Sequence, residues 1–325
     1  MNKGKIPENV LKRSILKKLS NKRGEVLTAG AVGNDCACLK FLENEKVLVS
    51  SNPFTVNTKD MAVYAVNGAV NNIAAAMGEP IGILVTELLP TDADEEYIKE
   101  ITDNIVKVSK ELSVDVIGGH TEVTDAVIRP VISVTAIGKK IGEPEKVNDY
   151  SGFDIVISKW IGLEGTSLLA KAKENELNKK FPARMIYEAG NFDRFLSVMS
   201  EAAPAIKSGV SAMHDISKGG VFAALWEMAE RLGVGLEIDL RKIPVKQETI
   251  EICNYFDINP YELSSMGSML FVTRDGNRLV HELMKLGIEA TVIGKSTSSN
   301  DRILINGENR RFLEPAKADE IFKVL

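Results

Sequence analysis

Between Gly142 and Gly152 the hydrophobic periodicity of the chain stops, and Gly142, Pro144, Asn148, Asp149, Ser151 and Gly152 follow one another closely. Residues of these types favour turns and break both strand and helix patterns, so the stretch reads as a boundary. On each side of it, strand-like and helix-like runs are mixed. The chain is therefore expected to form two α/β (α+β) units rather than an all-helical or all-strand fold. At 325 residues, two domains are also the default expectation. The expected divisions are an N-terminal helical arm over 1–28, an N-terminal domain over 29–148 and a C-terminal domain over 149–325.

In the first half, Val10, Leu11, Ile15, Leu16 and Leu19 fall at helical spacing, with Lys12, Arg13, Lys17 and Lys18 on the other side. The spacing predicts an amphipathic helix over 7–19 with a solvated basic face. A glycine-rich turn follows over 29–35, then a strand over 46–51 that stops at Asn52-Pro53. The Ala-, Val- and Asn-rich run 62–77 predicts a buried helix closed by Gly78. Residues 81–88 predict a strand, and Asp92 with Glu95 suggests a capping box opening a helix to 112. A short strand over 114–117 is expected to end at Gly118-Gly119, and 127–138 is β-rich, with Pro130 marking an edge or bulge. Beyond the boundary, strands are expected near 154–158, 234–238, 269–273 and 291–294. Helices are expected near 166–175, 192–207, 220–232 and 277–286.

Composition narrows the function classes. A net charge of −5 argues against a general nucleic-acid binder and against attraction to anionic membranes. Runs such as Ile81-Gly82-Ile83-Leu84-Val85 fall far short of the roughly 20 apolar residues that span a bilayer. The opening Met1-Asn2-Lys3-Gly4-Lys5 has no apolar signal. Three unpaired cysteines, Cys36, Cys38 and Cys253, fit a reducing, cytoplasmic compartment. Alternation along a strand would put Cys36 and Cys38 on one face, with burial as small hydrophobes the expected outcome.

The common nucleotide and hydrolase signatures are missing: no G-x-x-x-x-G-K-[ST], no G-x-G-x-x-G, no H-E-x-x-H and no G-x-S-x-G. What remains is a series of glycine and polar clusters at expected element ends. They are Gly30-x-x-Gly33-Asn34-Asp35, Ser51-Asn52-Pro53-Phe54, Asn67-x-x-x-Asn71-Asn72, Gly118-Gly119-His120-Thr121-Glu122 and His214-Asp215-Ile216-Ser217-Lys218-Gly219-Gly220. Glycines let main-chain N–H groups approach an anion, and nearby carboxylates suit Mg2+. His120 and His214-Asp215 are candidates for hydrogen bonding or proton exchange. A plainer role for Asp215 or Ser217 is to cap the helix that begins near Gly219.

The order of these clusters resembles the family that includes aminoimidazole ribonucleotide (AIR) synthase, HypE, thiamine-monophosphate kinase and selenophosphate synthetase. Gly33-Asn34-Asp35-Cys36-Ala37 stands for that family's G-[DE]-D-A-A, and Ser51-Asn52-Pro53-Phe54-Thr55-Val56 for T-D-P-F-T-V. The 65–74 run matches A-V-N-G-T-V-N-D-[LI]-A, Gly118-Gly119-His120-Thr121 matches G-G-[DEH]-T, and 214–220 matches H-D-x-T-R-G-G.

The resemblance implies a PurM-like two-domain fold. A small N-terminal domain would carry a four-stranded sheet that pairs with that of a second subunit, making a homodimer. A larger α/β domain would follow, with ATP in the cleft between them. It implies nucleotide contacts at Gly30, Gly33, Asn34, Asp35, Asn52, Asn72, Gly118, Gly119, Thr121, Lys218, Gly219 and Gly220. Mg2+ would lie at Asp35, Asn52, Asn72 and Asp215, with catalytic roles for His120, His214 and Asp215. The implied activity is ATP-dependent activation of an amide-type oxygen on a small molecule or partner protein, an alternative being a small-molecule kinase.

Three departures concentrate on charge. Asn34, Asn52 and Asn72 replace expected carboxylates, which implies weak Mg2+ binding and opens a second reading, a nucleotide-binding or interaction protein with depleted catalysis. The chain also ends Glu320-Ile321-Phe322-Lys323-Val324-Leu325, so HypE-type modification of a terminal cysteine is not expected.

Overall fold

The structure is a computed structural model that describes residues 3–34, 36–145, 147–315 and 318–325. It falls into two compact units, Met1–Ile141 and Gly142–Leu325. The break comes at the start of the turn-rich stretch.

The first unit contains β1 (Gly4–Lys5), α1 (Glu8–Val10), β2 (Val26–Thr28), β3 (Cys38–Leu39), β4 (Val47–Phe54) and α2 (Met61–Ala75), followed by β5 (Gly78–Leu89), α3 (Glu95–Glu111), β6 (Asp115–Val123) and β7 (Val131–Lys140). Its main sheet has the order β1-β6-β5-β7-β4. The family resemblance implied four strands; the two-residue β1 adds a fifth at the edge, pairing Lys5 with Glu122. β5 and β6 are parallel, which requires a crossover, and α3 supplies it.

Alternation along β5 turns Ile83, Val85, Glu87 and Leu89 to the buried face, and Ile132, Val134 and Ala136 of β7 do the same. α2 is buried on nearly all sides because it packs on the sheet and also against α3. Tyr64, Met61 and Ile73 disappear from solvent there, each contributing about 1.5–3 kcal/mol by apolar burial.

The N-terminal arm follows a helical track, but only α1 is α-helical. Leu11–Ile15 widens to a π turn and Leu16–Lys18 tightens to a 3-10 turn. Its basic face is not simply solvated. Arg13 pairs with Glu95, Ser14 Oγ donates to the same carboxylate at 2.8 Å, and Lys18 reaches Asp103 at 2.6 Å. These contacts fix the arm on α3, and Arg13 and Ser14 hold the Glu95 carboxyl down at about 2. Farther along, the main-chain N–H groups of Lys22 and Arg23 both donate to Asp115 at 2.8 Å, tying the segment before the glycine loop to β6.

The second unit contains β8 (Asp154–Ser158), α4 (Leu163–Ala172), α5 (Glu174–Leu177), α6 (Ala183–Gly190), α7 (Met199–Lys207), β9 (Ala212–Ile216), α8 (Gly220–Leu232) and β10 (Gly235–Asp239). It continues through α9 (Gln247–Phe256), β11 (Ser268–Thr273), α10 (Gly276–Met284), β12 (Ala290–Thr297), β13 (Arg302–Asn306) and β14 (Asn309–Phe312). The sheet order is β14-β13-β10-β12-β8-β11-β9. Ile155, Ile157, Leu225, Leu270 and Ile293 anchor its core.

Several local expectations change. Gly78 does not cap α2: Met77 takes the left-handed conformation at φ 60°. Gly78 instead opens β5, where a Cβ would meet the Leu48 side chain at 2.4 Å. The cap of α3 is Asp94, which accepts from the Tyr97 N–H, rather than Asp92. β6 does not stop at Gly118-Gly119 but runs through them to Val123, with a register shift opposite Ile83 and Leu84. Cys36 and Cys38 are exposed rather than buried; Cys253 is buried and its thiol is pushed up to about 12 by desolvation.

Candidate functional site

The glycine motif at the start of the chain meets the glycine pair of β6. Gly30 N–H donates to Ile117 O at 2.6 Å, and a Cβ on Gly30 would lie 3.1 Å from Gly118 Cα. Gly119 is more constrained still. Its φ is +157°, and a Cβ there would sit 2.0 Å from Val85 O. A side chain at Gly30 would part the loop from β6, and one at Gly119 would part β6 from β5.

Residues 31–34 form a tight turn in which Asn34 N–H donates to Ala31 O at 3.0 Å, and Asn34 Nδ2 donates to Ala29 O at 2.8 Å. Among the described residues the N–H groups of Val32 and Gly33 take no partner from the chain. Two such donors on a glycine turn are a fit for an anion. Asp35 lies outside the described residues.

The loop borders a cavity of about 530 Å3 in the first unit. Leu11, Ile15 and Leu16 of the arm, Ile105 of α3, and Val85 and Ile117 of the sheet give it apolar walls. Gly30, Gly33, Asn34, Gly118, Gly119, His120 and Thr121 all line it, so seven sequence-derived site residues converge here. The volume is that of a small-molecule site.

One lining residue was missed. Glu87, 4% exposed, accepts from Thr121 Oγ1 at 2.9 Å and has no cationic partner among the described residues. Desolvation pushes its carboxyl up to about 7, against the smaller pull of the Thr121 hydroxyl. The sequence did carry a signal: in Ile83-x-Val85-x-Glu87-x-Leu89 the glutamate falls on the apolar parity of a strand. His120 points to the opposite parity and its Nε2 lies 3.1 Å from Glu122 Oε2.

Asn52 and Asn72 are not in this cavity. They belong to the seam of β4 and α2, where Asn72 Nδ2 donates to Ser50 Oγ at 2.8 Å and Asn52 lies two residues along from Ser50. Like Asn34, Asn72 here uses a donor that aspartate does not possess. Among the described residues no three of His, Cys, Asp or Glu are grouped to hold a metal ion.

His214, Asp215, Lys218, Gly219 and Gly220 belong to the second unit, so the expected catalytic trio is divided between the two. His214 Nε2 lies 2.8 Å from Glu227 Oε2, and burial raises the carboxyl of Asp215. The carboxylate on the Gly219 amide at the start of α8 comes from far along the chain. Asp319, about a hundred residues on, accepts from Gly219 N–H at 2.7 Å and from Ser264 N–H at 3.2 Å. Gly220 N–H donates to Ser217 O and Phe222 N–H to Tyr261 O. An anion at Gly219 would therefore have to displace a carboxylate. Beside it, Glu164 is buried, and desolvation together with Asp319 pushes its carboxyl up to about 7.

These two units, each a mixed sheet flanked by helices and the first carrying a glycine-lined cavity, define a two-domain α/β protein of PurM-like architecture. Residues 33–139 match the N-terminal domain and residues 152–305 the C-terminal domain of AIR synthase related proteins. The chain belongs to the AIR synthase-related family.

A Methanocaldococcus jannaschii protein named for hydrogenase expression and formation is 26% identical over 347 aligned residues, covering 99% of this chain and 97% of that one. A carbamoyl dehydratase HypE from Rhizobium leguminosarum is 26% identical over 72% of this chain and 67% of its own length. Escherichia coli HypE shares the fold with a TM-score of 0.81 at 17% identity, covering 98% of this chain and 100% of that one. A HypE crystallised with ATP gives 0.76 at 18%, with coverages of 96% and 95%.

Proposed function

We propose that the protein is an ATP-dependent enzyme that activates an amide-type oxygen of a small molecule or partner protein by phosphoryl transfer. The observation that carries this reading is the turn over residues 31–34, laid on Gly118-Gly119 at the cavity with the Val32 and Gly33 N–H groups taking no partner among the described residues. The similarity to HypE proteins, one of them crystallised with ATP, supports it.

Val32, Gly33, Gly118 and Gly119 would hold nucleotide phosphates, and Asp35, next in sequence to the turn, is the proposed Mg2+ ligand on that side, whereas Asn52 and Asn72 stand apart from this cavity. ATP supplies the phosphoryl group that converts a poor oxygen leaving group into phosphate. The protein's own part is positioning and charge placement. His120 and His214 each have Nε2 against a glutamate, which orients the ring and leaves Nδ1 for proton exchange.

The outer face of the first sheet, where Val47 and Val49 stand exposed, is the proposed homodimer surface. Exposed thiols at Cys36 and Cys38 suit the cytoplasm. No helix among the described residues is long and apolar enough to cross a membrane.

A second reading, a nucleotide-binding protein with weakened catalysis, draws on one observation: the Gly219 amide is already taken by Asp319. Calorimetric titration with ATP, with and without Mg2+, tests binding. ADP formation against a panel of amides and carboxamides then separates the two readings. ATP bound without turnover on any of them refutes the enzyme.

A further inference from the structure

Glu87 is a buried carboxyl whose place in the fold the phosphate chemistry does not use. A carboxyl of 4% exposure ordinarily sits beside a cation or accepts several N–H groups. Glu87 has one hydroxyl donor, Thr121, and no ion pair among the described residues. Lys5, the lysine that lines the same cavity, is not bonded to it. The Thr102 hydroxyl on the opposite wall already donates to Ile98 O at 2.8 Å. The acceptor capacity of Glu87 is thus left facing a space walled mainly by aliphatic side chains, and a triphosphate is the wrong charge to fill that end.

We propose that Glu87, oriented by Thr121, receives a hydrogen-bond-donating nitrogen of the molecule that occupies this cavity, either the exocyclic amine of a heteroaromatic base or an amidinium group. With a base, the proposal rests on the nucleotide reading above: phosphates lie at the glycine turn and the amino edge of the base lies inward. With an amidinium, it is independent of that reading. In both, the cavity selects for a donor at its inner end, and Glu87 is a specificity-determining residue.

Calorimetry on the full chain at pH 8 separates the sources. One arm compares adenosine with purine riboside, which lacks only the amine; the other compares benzamidine with acetophenone, which carries no N–H or O–H donor. The expected result is a preference of about tenfold or more for the donor-bearing probe in one arm, falling to less than about twofold in Glu87→Met. Glu87→Gln keeps an acceptor oxygen, so it retains the adenosine preference but loses that for benzamidine. If Glu87→Met does not fold, Glu87→Gln carries the test in the benzamidine arm and Glu87→Ala, which removes the acceptor, carries it in the adenosine arm.

No preference in either arm, or a preference that survives in Glu87→Met, overturns the proposal. ATP binding without an adenosine preference or a benzamidine preference refutes it while leaving the nucleotide reading intact. A Glu87-dependent benzamidine preference without ATP binding supports it and refutes the nucleotide reading.

Discussion

Glu87 makes the stability of the first unit depend on pH. Its carboxyl moves from 4.5 to about 7 because burial disfavours the ionised form. A carboxyl raised in the fold contributes its stability below the unfolded value, and the folded state loses it as pH rises through about 7. A shift of that size corresponds to about 3 kcal/mol between pH 4.5 and pH 8.5, taking 1.36 kcal/mol per unit. Glu87→Gln keeps the volume and an acceptor for Thr121 while removing the titration. Trp160 and Trp226 both belong to the second unit, so tryptophan fluorescence does not report on this one. Amide hydrogen exchange of β5 and β6, compared between wild type and variant at each pH, does. The variant should match wild type near pH 5 and exceed it in local opening free energy by about 3 kcal/mol near pH 8.5. Parallel profiles for the two proteins would refute the assignment of an uncompensated carboxyl at this position.

Other consequences are testable with single substitutions. Gly119→Ala places a Cβ against Val85 O and should cost about 2–4 kcal/mol, read as a lowered denaturation midpoint by circular dichroism. Asp319→Ala leaves the Gly219 and Ser264 N–H groups without their carboxylate. It should destabilise the second unit by about 1–3 kcal/mol, reported by the fluorescence of Trp226 in α8. Asn34→Asp replaces the donor to Ala29 O by an anion facing a carbonyl, so the turn should loosen by about 1 kcal/mol without metal. Combined with Asn52→Asp and Asn72→Asp, it should tighten Mg2+-dependent ATP binding several-fold in calorimetry. An unchanged affinity places these three residues away from the metal.

Much of the first unit was legible from residue order alone. Gly30, Gly33, Asn34, Gly118 and Gly119, singled out by residue order, line one cavity, and the chain divides after Ile141, at the start of the turn-rich stretch. Errors arose where tertiary packing overrode local preference. Gly78 looked like a cap, yet its lack of a Cβ serves contact with Leu48 and Ile73, and Met77 bears the left-handed turn. Gly118-Gly119 looked like a strand end, but the strand needs them to cross Gly30 and Val85. Glu87 is readable from strand parity, against the general rarity of buried charge. Asp319 had no local signal at all, since its partners lie in distant parts of the chain.

That last contact has a bearing on how the protein is assembled during synthesis. The start of α8 depends on a carboxylate supplied about a hundred residues later, whereas the first unit draws its arm, sheet and cavity from residues made early. The first unit can therefore mature while the second is still being extended. The start of α8 lacks its carboxylate until residue 319 has been added, so a chain stalled before that point would carry a finished first unit and an unfinished second one.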